Sequence, residues 1–305
     1  MRTLRTVAEL RGALAGPRRE GRTVALVPTM GALHEGHLSL IRQARAQCEV
    51  VVVSVFVNPT QFTQPADLES YPRDEGRDRA LAVEAGADLL FAPAAEEMYP
   101  PGFATTVSVH GVTAVLEGAA RGARHFQGVT TVVTKLLLAS APDSLYLGQK
   151  DFQQTVVLRR MVCDLGLAVR VVVCPTVREP DGLALSSRNA RLSSDEREAA
   201  VALWRALAGA ARRAEQGERD GDVLLDAARV AMRSFGVVPE YLQLVAPATL
   251  APVGELADPA LLVVAATVGG VRLIDNLLLT ASFAAPVPSG TFPRVKETAQ
   301  QPCNA

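Results

Sequence analysis

Lysine is scarce in this chain: of 31 basic residues only Lys135, Lys150 and Lys296 are lysines. In so arginine-rich a composition a lysine in a polar loop stands out, and Lys150 is that lysine. Neither sign of charge is in excess. The 31 basic residues against 32 acidic ones leave a formal net charge of −1, so no polyanion-binding surface is expected and nucleic acid is a poor partner. Long apolar runs are missing as well. The opening Met1-Arg2-Thr3-Leu4-Arg5 holds no apolar signal region and nothing later approaches a membrane span, so no membrane partner is expected and the reading is a cytoplasmic protein. The cysteines (Cys48, Cys163, Cys174 and Cys303) are dispersed without paired spacing, which argues against disulfides and structural zinc. There is no internal repeat.

Histidine is also rare, with four in the chain, yet two of them share one short stretch: Val27-Pro28-Thr29-Met30-Gly31-Ala32-Leu33-His34-Glu35-Gly36-His37. An apolar run from Thr23 to Val27 leads into it, and helical spacing follows in Leu38-Ser39-Leu40-Ile41. Strand, glycine turn and helix start form the βα junction at which α/β folds bind phosphates, because unpaired helix N–H groups and the helix dipole attract anions. Several familiar motifs are excluded. Gly31 and Gly36 have P-loop spacing, but His37-Leu38 stands where Lys-Ser/Thr is required. No G-x-G-x-x-G follows the strand, and no third ligand completes a metal site with the two histidines. A structural turn with incidental histidines stays open. His-x-Gly-His at a helix start is otherwise what class I-type nucleotidyl transferases use, with imidazoles donating to phosphates and the glycine admitting the nucleotide.

The 305 residues, 49% of them hydrophobic, suffice for two domains with a large core. Residues 50–57 read as a strand without alternation, as in a parallel strand covered on both faces. It ends in Asn58-Pro59-Thr60-Gln61-Phe62, either an ordinary turn or the ligand edge of the sheet. A charged helix leads to Gly86, with Asp78 in its first turns as a dipole partner at least. Strands are expected at 88–91 and 107–109, a mobile glycine- and arginine-rich loop at 117–128 and a helix at 129–139. A second strand–glycine–helix junction, Gly148-Gln149-Lys150-Asp151, sets Lys150 at a helix N-terminus, where it is unfavourable unless an anion binds; Gln154 lies one turn on. After a strand at 169–174, the connector ending in Ser186-Ser187-Arg188 offers hydroxyls and a guanidinium to phosphate, or is only a linker. Helices at 193–215 and 222–235, then strands at 241–245, 261–268 and 271–279, read as a small α+β unit. The expected architecture is thus α/β: a Rossmann-like parallel sheet with helices on both faces (1–175), a smaller C-terminal α+β domain (176–282) and a disordered tail (283–305).

Taken together, residues 28–37, 56–62, 71–73, 148–154 and 181–189 closely resemble the pantothenate synthetase (pantoate–β-alanine ligase) family of the HIGH-motif nucleotidyltransferases, and residues 268–276 resemble its C-terminal strand pair. The likeness runs in order over about residues 1–280. One departure stands out: Arg121 lies four residues before His125-Phe126, where the family pattern has three, so this loop is one residue longer. The resemblance implies an ATP- and Mg2+-dependent ligase, a homodimer, that joins pantoate to β-alanine through a pantoyl-adenylate with release of pyrophosphate and AMP. It implies His34, His37, Lys150 and Arg188 as catalytic groups. Nucleotide contacts would come from Met30, Gly31, Ala32, Leu33, His34, Glu35, Gly36 and His37. Gly148, Gln149, Lys150, Asp151, Val177, Leu185, Ser186, Ser187 and Arg188 would complete them. Gln61 and Gln154 would hold pantoate beside Asn58 and Met30, and Asp78 would bind magnesium. Neutral amides suit pantoate because they hold its carboxylate without an ion pair that would blunt its nucleophilicity.

Overall fold

The computed structural model describes residues 1–62, 68–69, 71–256 and 259–280; the tail expected at 283–305 lies outside the described residues. Six parallel strands form the larger sheet: β1 (Arg2–Leu4), β2 (Val24–Thr29), β3 (Val50–Val55), β4 (Leu89–Phe91), β5 (Ser144–Gly148) and β6 (Arg170–Cys174), in the order β1-β4-β3-β2-β5-β6. The apolar runs of β2 and β3 do not alternate because each face has its own cover. Val24, Leu26, Val50 and Val52 pack into one core with Leu10 and Leu14 of α1 (Val7–Arg19). Ala25, Val27, Val51 and Val53 turn the other way, against Leu38, Ile41 and Ala44 of α2 (Glu35–Gln47) and Ala82 of α3 (Glu75–Glu84). Period-two geometry thereby splits one hydrophobic run between two cores.

Chain order reverses at β2, which pairs with β3 on one side and β5 on the other. Ligands bind at such a switch point in open α/β sheets, because the connections leave in opposite directions and open a crevice at the strands' carboxyl ends. The two glycine junctions read from the sequence follow β2 and β5, so this pairing sets them side by side.

The chain continues through α4 (Ala95–Met98), α5 (Glu117–Arg121), α6 (Ala123–Ser140) and α7 (Phe152–Asp164). Residues 117–128, expected as a mobile loop, are largely helical: Gly122 at φ 83° only breaks α5 from α6. The strand expected at 107–109 does not form. Val107 instead donates its N–H to the Thr131 hydroxyl and accepts from that of Thr130, so helix α6 takes the place of a ladder partner. Cys163 is disulfide-bonded, against the expectation from spacing, since a bridge need leave no mark in local sequence; Cys48 and Cys174 are free and buried.

Beyond β6 lies the smaller unit: α8 (Ser194–Ala200), α9 (Ala202–Glu215) and α10 (Gly221–Arg233) on an antiparallel sheet of β7 (Tyr241–Val245), β8 (Ala260–Val268) and β9 (Val271–Leu279). Small residues make its helix contacts close: Ala202, Ala206 and Ala210 of α9 and Ala228 of α10 are fully buried.

Candidate active site

The turn after β2 is built to aim two imidazoles. Gly31 has φ +85°, and a Cβ there would lie 2.8 Å from an Asp78 carboxylate oxygen, so only glycine fits. That carboxylate is 1% exposed and accepts the N–H groups of Ala32 (2.9 Å) and Leu33 (2.7 Å). His34 caps α2: its Nδ1 accepts the Gly36 N–H at 3.2 Å, and the His37 Nδ1 accepts the His34 N–H at 3.4 Å. The motif is a capping box made from imidazoles, with ring centroids 4.1 Å apart. A Cβ on residue 36 would lie 2.9 Å from the His34 ring, so the glycine first makes room for the cap.

Each Nδ1 accepts a backbone N–H, so the ring proton of the neutral imidazole sits on Nε2. Burial, with repulsion from Lys150, pulls the His34 pKa down to about 4. Burial and then His34 pull that of His37 down to about 3. Both rings are therefore neutral near pH 7, each with an Nε2–H to give. They are hydrogen-bond donors, not cations.

The charge comes from the second junction. A 3-10 turn, Gln149–Asp151, links β5 to α7 and carries Lys150, 19% exposed, with its ammonium 3.6 Å from Asp151. Burial raises the Asp151 carboxyl, but Lys150, Arg188 and Arg121 outweigh it and hold the pKa below the usual range. The smaller unit fixes this turn: the Asn276 side-chain amide donates to the carbonyls of Gln149 (3.0 Å) and Lys150 (2.9 Å). Next to it Asp275, 2% exposed, grips Arg178 through two bonds of 2.6 and 2.9 Å. Arg178 belongs to a small hairpin in which Leu185 N–H bonds the Val177 carbonyl at 3.0 Å. Its Gly182 lies so close to Trp204 that a Cβ would come within 1.9 Å of the indole. The hairpin delivers Ser186, whose hydroxyl caps the 3-10 turn Ser187–Arg191 through the Arg188 N–H at 3.2 Å.

These pieces meet around one solvent-open cleft. Met30, His34, Gly36 and His37 line it from the first junction; Gly148, Lys150, Asp151 and Gln154 from the second; Val177, Leu185, Ser186, Ser187 and Arg188 from the hairpin. Gln61 joins them. Its amide oxygen accepts from Asn58 at 2.9 Å and its nitrogen points at the Met30 sulfur, 3.2 Å away.

Other expected residues lie behind this wall. Asn58, expected at the substrate, is 1% exposed, and its amide is spent on Gln61, Gly128, Thr60 and Tyr99; it positions Gln61. Glu35 is exposed and paired with Arg42, because the first residue of α2 points away from the turn that its neighbours line. Gly31, Ala32 and Leu33 shape the turn without lining the cleft, and Gln149 reaches toward Asn276. Asp78 has both oxygens committed to backbone N–H groups. Among the described residues no group of three or more His, Cys, Asp or Glu could hold a metal ion.

Sequence reasoning assigned no site role to three further features. Tyr71 lines the cleft with Ser187, and burial raises its pKa. His125 lines the cleft with Nδ1 2.9 Å from the Gln61 carbonyl. Glu117, buried, accepts two bonds of 2.7 Å from Arg272, one of 2.8 Å from Arg121 and one of 2.9 Å from the Tyr241 hydroxyl, so it ties α5 to the smaller unit. Adjacent charges from distant segments leave no local pattern.

Residues 2–278 match the family model described as Pantoate-beta-alanine ligase. The chain belongs to the pantoate–β-alanine ligase family. It is 53% identical over 273 residues to the pantothenate synthetase of Chelativorans sp. (strain BNC1), covering 90% of this chain and 96% of that one. Its fold matches the crystal structure of pantothenate synthetase from Thermus thermophilus with a TM-score of 0.86 and 53% identity, covering 91% of this chain and 99% of the other. It also matches, with a TM-score of 0.76 and 35% identity over 91% and 97% of the two chains, the pantoate-beta-alanine ligase from Francisella tularensis complexed with "Beta-gamma ATP" and beta-alanine. Family membership makes this chain a ligase that condenses pantoate with β-alanine.

Proposed function

We propose that the cleft runs this condensation in two steps through a pantoyl-adenylate, using ATP and releasing pyrophosphate and then AMP. One observation carries the reading: neutral imidazole donors on one side of the cleft stand with Lys150 and Arg188, while the neutral amides Gln61 and Gln154 line the same space. A carboxylate is a weak nucleophile toward a phosphate anion, so the transition state needs charge neutralised on the α-phosphate and on the departing pyrophosphate. Two Nε2–H groups at the α2 N-terminus, an ammonium, a guanidinium and the Ser186 and Ser187 hydroxyls suit that task. Neutral histidines add hydrogen bonds without drawing the pantoate carboxylate into an ion pair. Gln61, held by Asn58, and Gln154 would hold the acid, and Val177 would contact the adenine.

Magnesium would travel with the nucleotide. The phosphates supply the hard oxygen ligands it prefers, and Asp78, spent on the turn, serves as anchor for the histidine loop. Bound there, magnesium would neutralise phosphate charge. A homodimer in the cytoplasm completes the reading; among the described residues no helix is long and apolar enough to cross a membrane.

Isotope transfer tests the route. With ATP, magnesium and carboxylate-¹⁸O pantoate, enzyme without β-alanine should release about one pyrophosphate per site and keep an adenylate. Added β-alanine should then yield AMP bearing one labelled oxygen. Label in inorganic phosphate, with ADP as product, would mean an acyl-phosphate route and overturn the proposal.

A further inference from the structure

The three histidines of the cleft do not share one tautomer. His34 and His37 spend Nδ1 as an acceptor and present Nε2–H. His125 is the reverse. Its Nδ1 lies 2.9 Å from the Gln61 carbonyl oxygen, which can only accept, so the proton is on Nδ1. Nε2 has no hydrogen-bond partner among the described residues. Burial, chiefly, and then Arg121 of α5 push the His125 pKa below the ordinary value, against the Gln61 bond, Glu117 and Asp151. The site in the first turn of α6, at the positive end of the helix dipole, works the same way. The neutral ring therefore leaves a lone pair on Nε2.

Local packing holds the ring there. α6 runs so close to the Pro59–Gln61 turn that a Cβ on Gly128 would lie 2.7 Å from the Gln61 nitrogen and the Thr60 carbonyl. The contact brings the start of α6 against Gln61, and Phe126 meets the imidazole edge-on at 5.1 Å.

Phosphate wants donors and an incoming ammonium wants an acceptor. β-Alanine reaches the cleft protonated, since an alkylamine's pKa is about 10, and it cannot attack until it sheds a proton. We infer that His125 is the base of the second half-reaction, with Nε2 taking that proton beside the acyl group that Gln61 helps to hold. This rests on the adenylate route proposed above. One ammonium proton passes to Nε2, and the freed lone pair forms the C–N bond to the acyl carbon. The C–O bond to the phosphate breaks with its electron pair leaving on AMP, and the second nitrogen proton is lost to water, as is the proton held by His125.

The test separates the two halves. In His125→Asn the amide nitrogen can keep the bond to the Gln61 carbonyl while the basic nitrogen is gone. Wild type and variant are loaded with ATP, magnesium and pantoate, pyrophosphate release is timed, and β-alanine is then added in a single turnover. The expected result is adenylate discharge slowed about 10²-fold or more, the lower end for loss of a general base, with pyrophosphate release slowed far less. Hydroxylamine, largely uncharged at pH 7, needs no base and should discharge both adenylates at similar rates. Discharge by β-alanine at the wild-type rate overturns the inference. So does an equal loss in both halves or with both nucleophiles, since either marks a structural role. If wild type itself forms no adenylate, the two-step route fails instead, and the two failures are told apart.

Discussion

Replacing Glu117 by Gln should cost more than any surface charge, by an amount that depends on pH. The Glu117 carboxylate is 7% exposed and is held by Arg272, Arg121 and the Tyr241 hydroxyl. Burial alone would raise its pKa, but the bonds from Arg272 and Arg121 reverse that and bring it down to about 2 from an ordinary value of 4.5. At 1.36 kcal/mol per pKa unit, ionised Glu117 contributes about 3 kcal/mol at pH 7, in line with the roughly 3–5 kcal/mol lost when one partner of a buried pair is removed. The folded pKa is the depressed one, so this stability is present above about pH 4.5 and is lost as pH falls toward 2. By the same linkage about 2 kcal/mol should remain at pH 3.5. Urea unfolding of wild type and Glu117→Gln at pH 7 and pH 3.5 measures both differences. Arg272→Met should cost much less in the Glu117→Gln background than alone, because the two residues act as one unit. A loss under about 1 kcal/mol at pH 7, or one unchanged at pH 3.5, would refute the claim that this buried carboxylate ties α5 to the smaller unit.

Three further outcomes can be checked. His37→Ala and Lys150→Ala should each lower turnover at least about 10²-fold, the scale for one lost donor to a developing charge; near-normal turnover removes that residue from the site. Gln154→Ala should bind pantoate worse and discriminate less against an analogue lacking one hydroxyl, because wild type must leave a buried amide unpaired with the analogue; unchanged affinities in calorimetry would place the acid elsewhere. Gly36→Ala should keep its stability within about 1 kcal/mol of wild type, since the helix propensity of alanine offsets the lost cap. Its KM for ATP should nonetheless rise, because the new Cβ displaces the His34 ring; an unaltered KM would mean that the ring yields without consequence.

Local pattern was enough to read the elements. Apolar runs marked β2, β3 and β5, and the last three strands fall where their apolar runs lie, because a run covered on both faces needs no partner's identity to be recognised. The two glycine junctions were legible for the same reason: Gly31 and the N-cap at His34 obey rules contained within a few residues. Residues 117–128 were misread because their glycines and arginines look like a loop, whereas packing of Phe126 in the core helps hold them helical. Asn58 and Gln61 looked equivalent in sequence. Burial under α6 separated them, sending one amide into the protein and leaving the other at the cleft.

Near-neighbour sterics and motif order were sufficient for the run of strands and helices, the two glycine junctions and the family, and all of these stand in the sequence. Which junctions touch was settled by the folded chain alone, through the pairing of β2 with both β3 and β5. So was the protonation of the site. Burial keeps His34 and His37 neutral, the Gln61 carbonyl turns His125 to the opposite tautomer, and Arg272 arrives from 155 positions away to keep Glu117 charged. A proton's place depends on the dielectric and on the partners within a few ångströms, and the chain acquires both only when it closes.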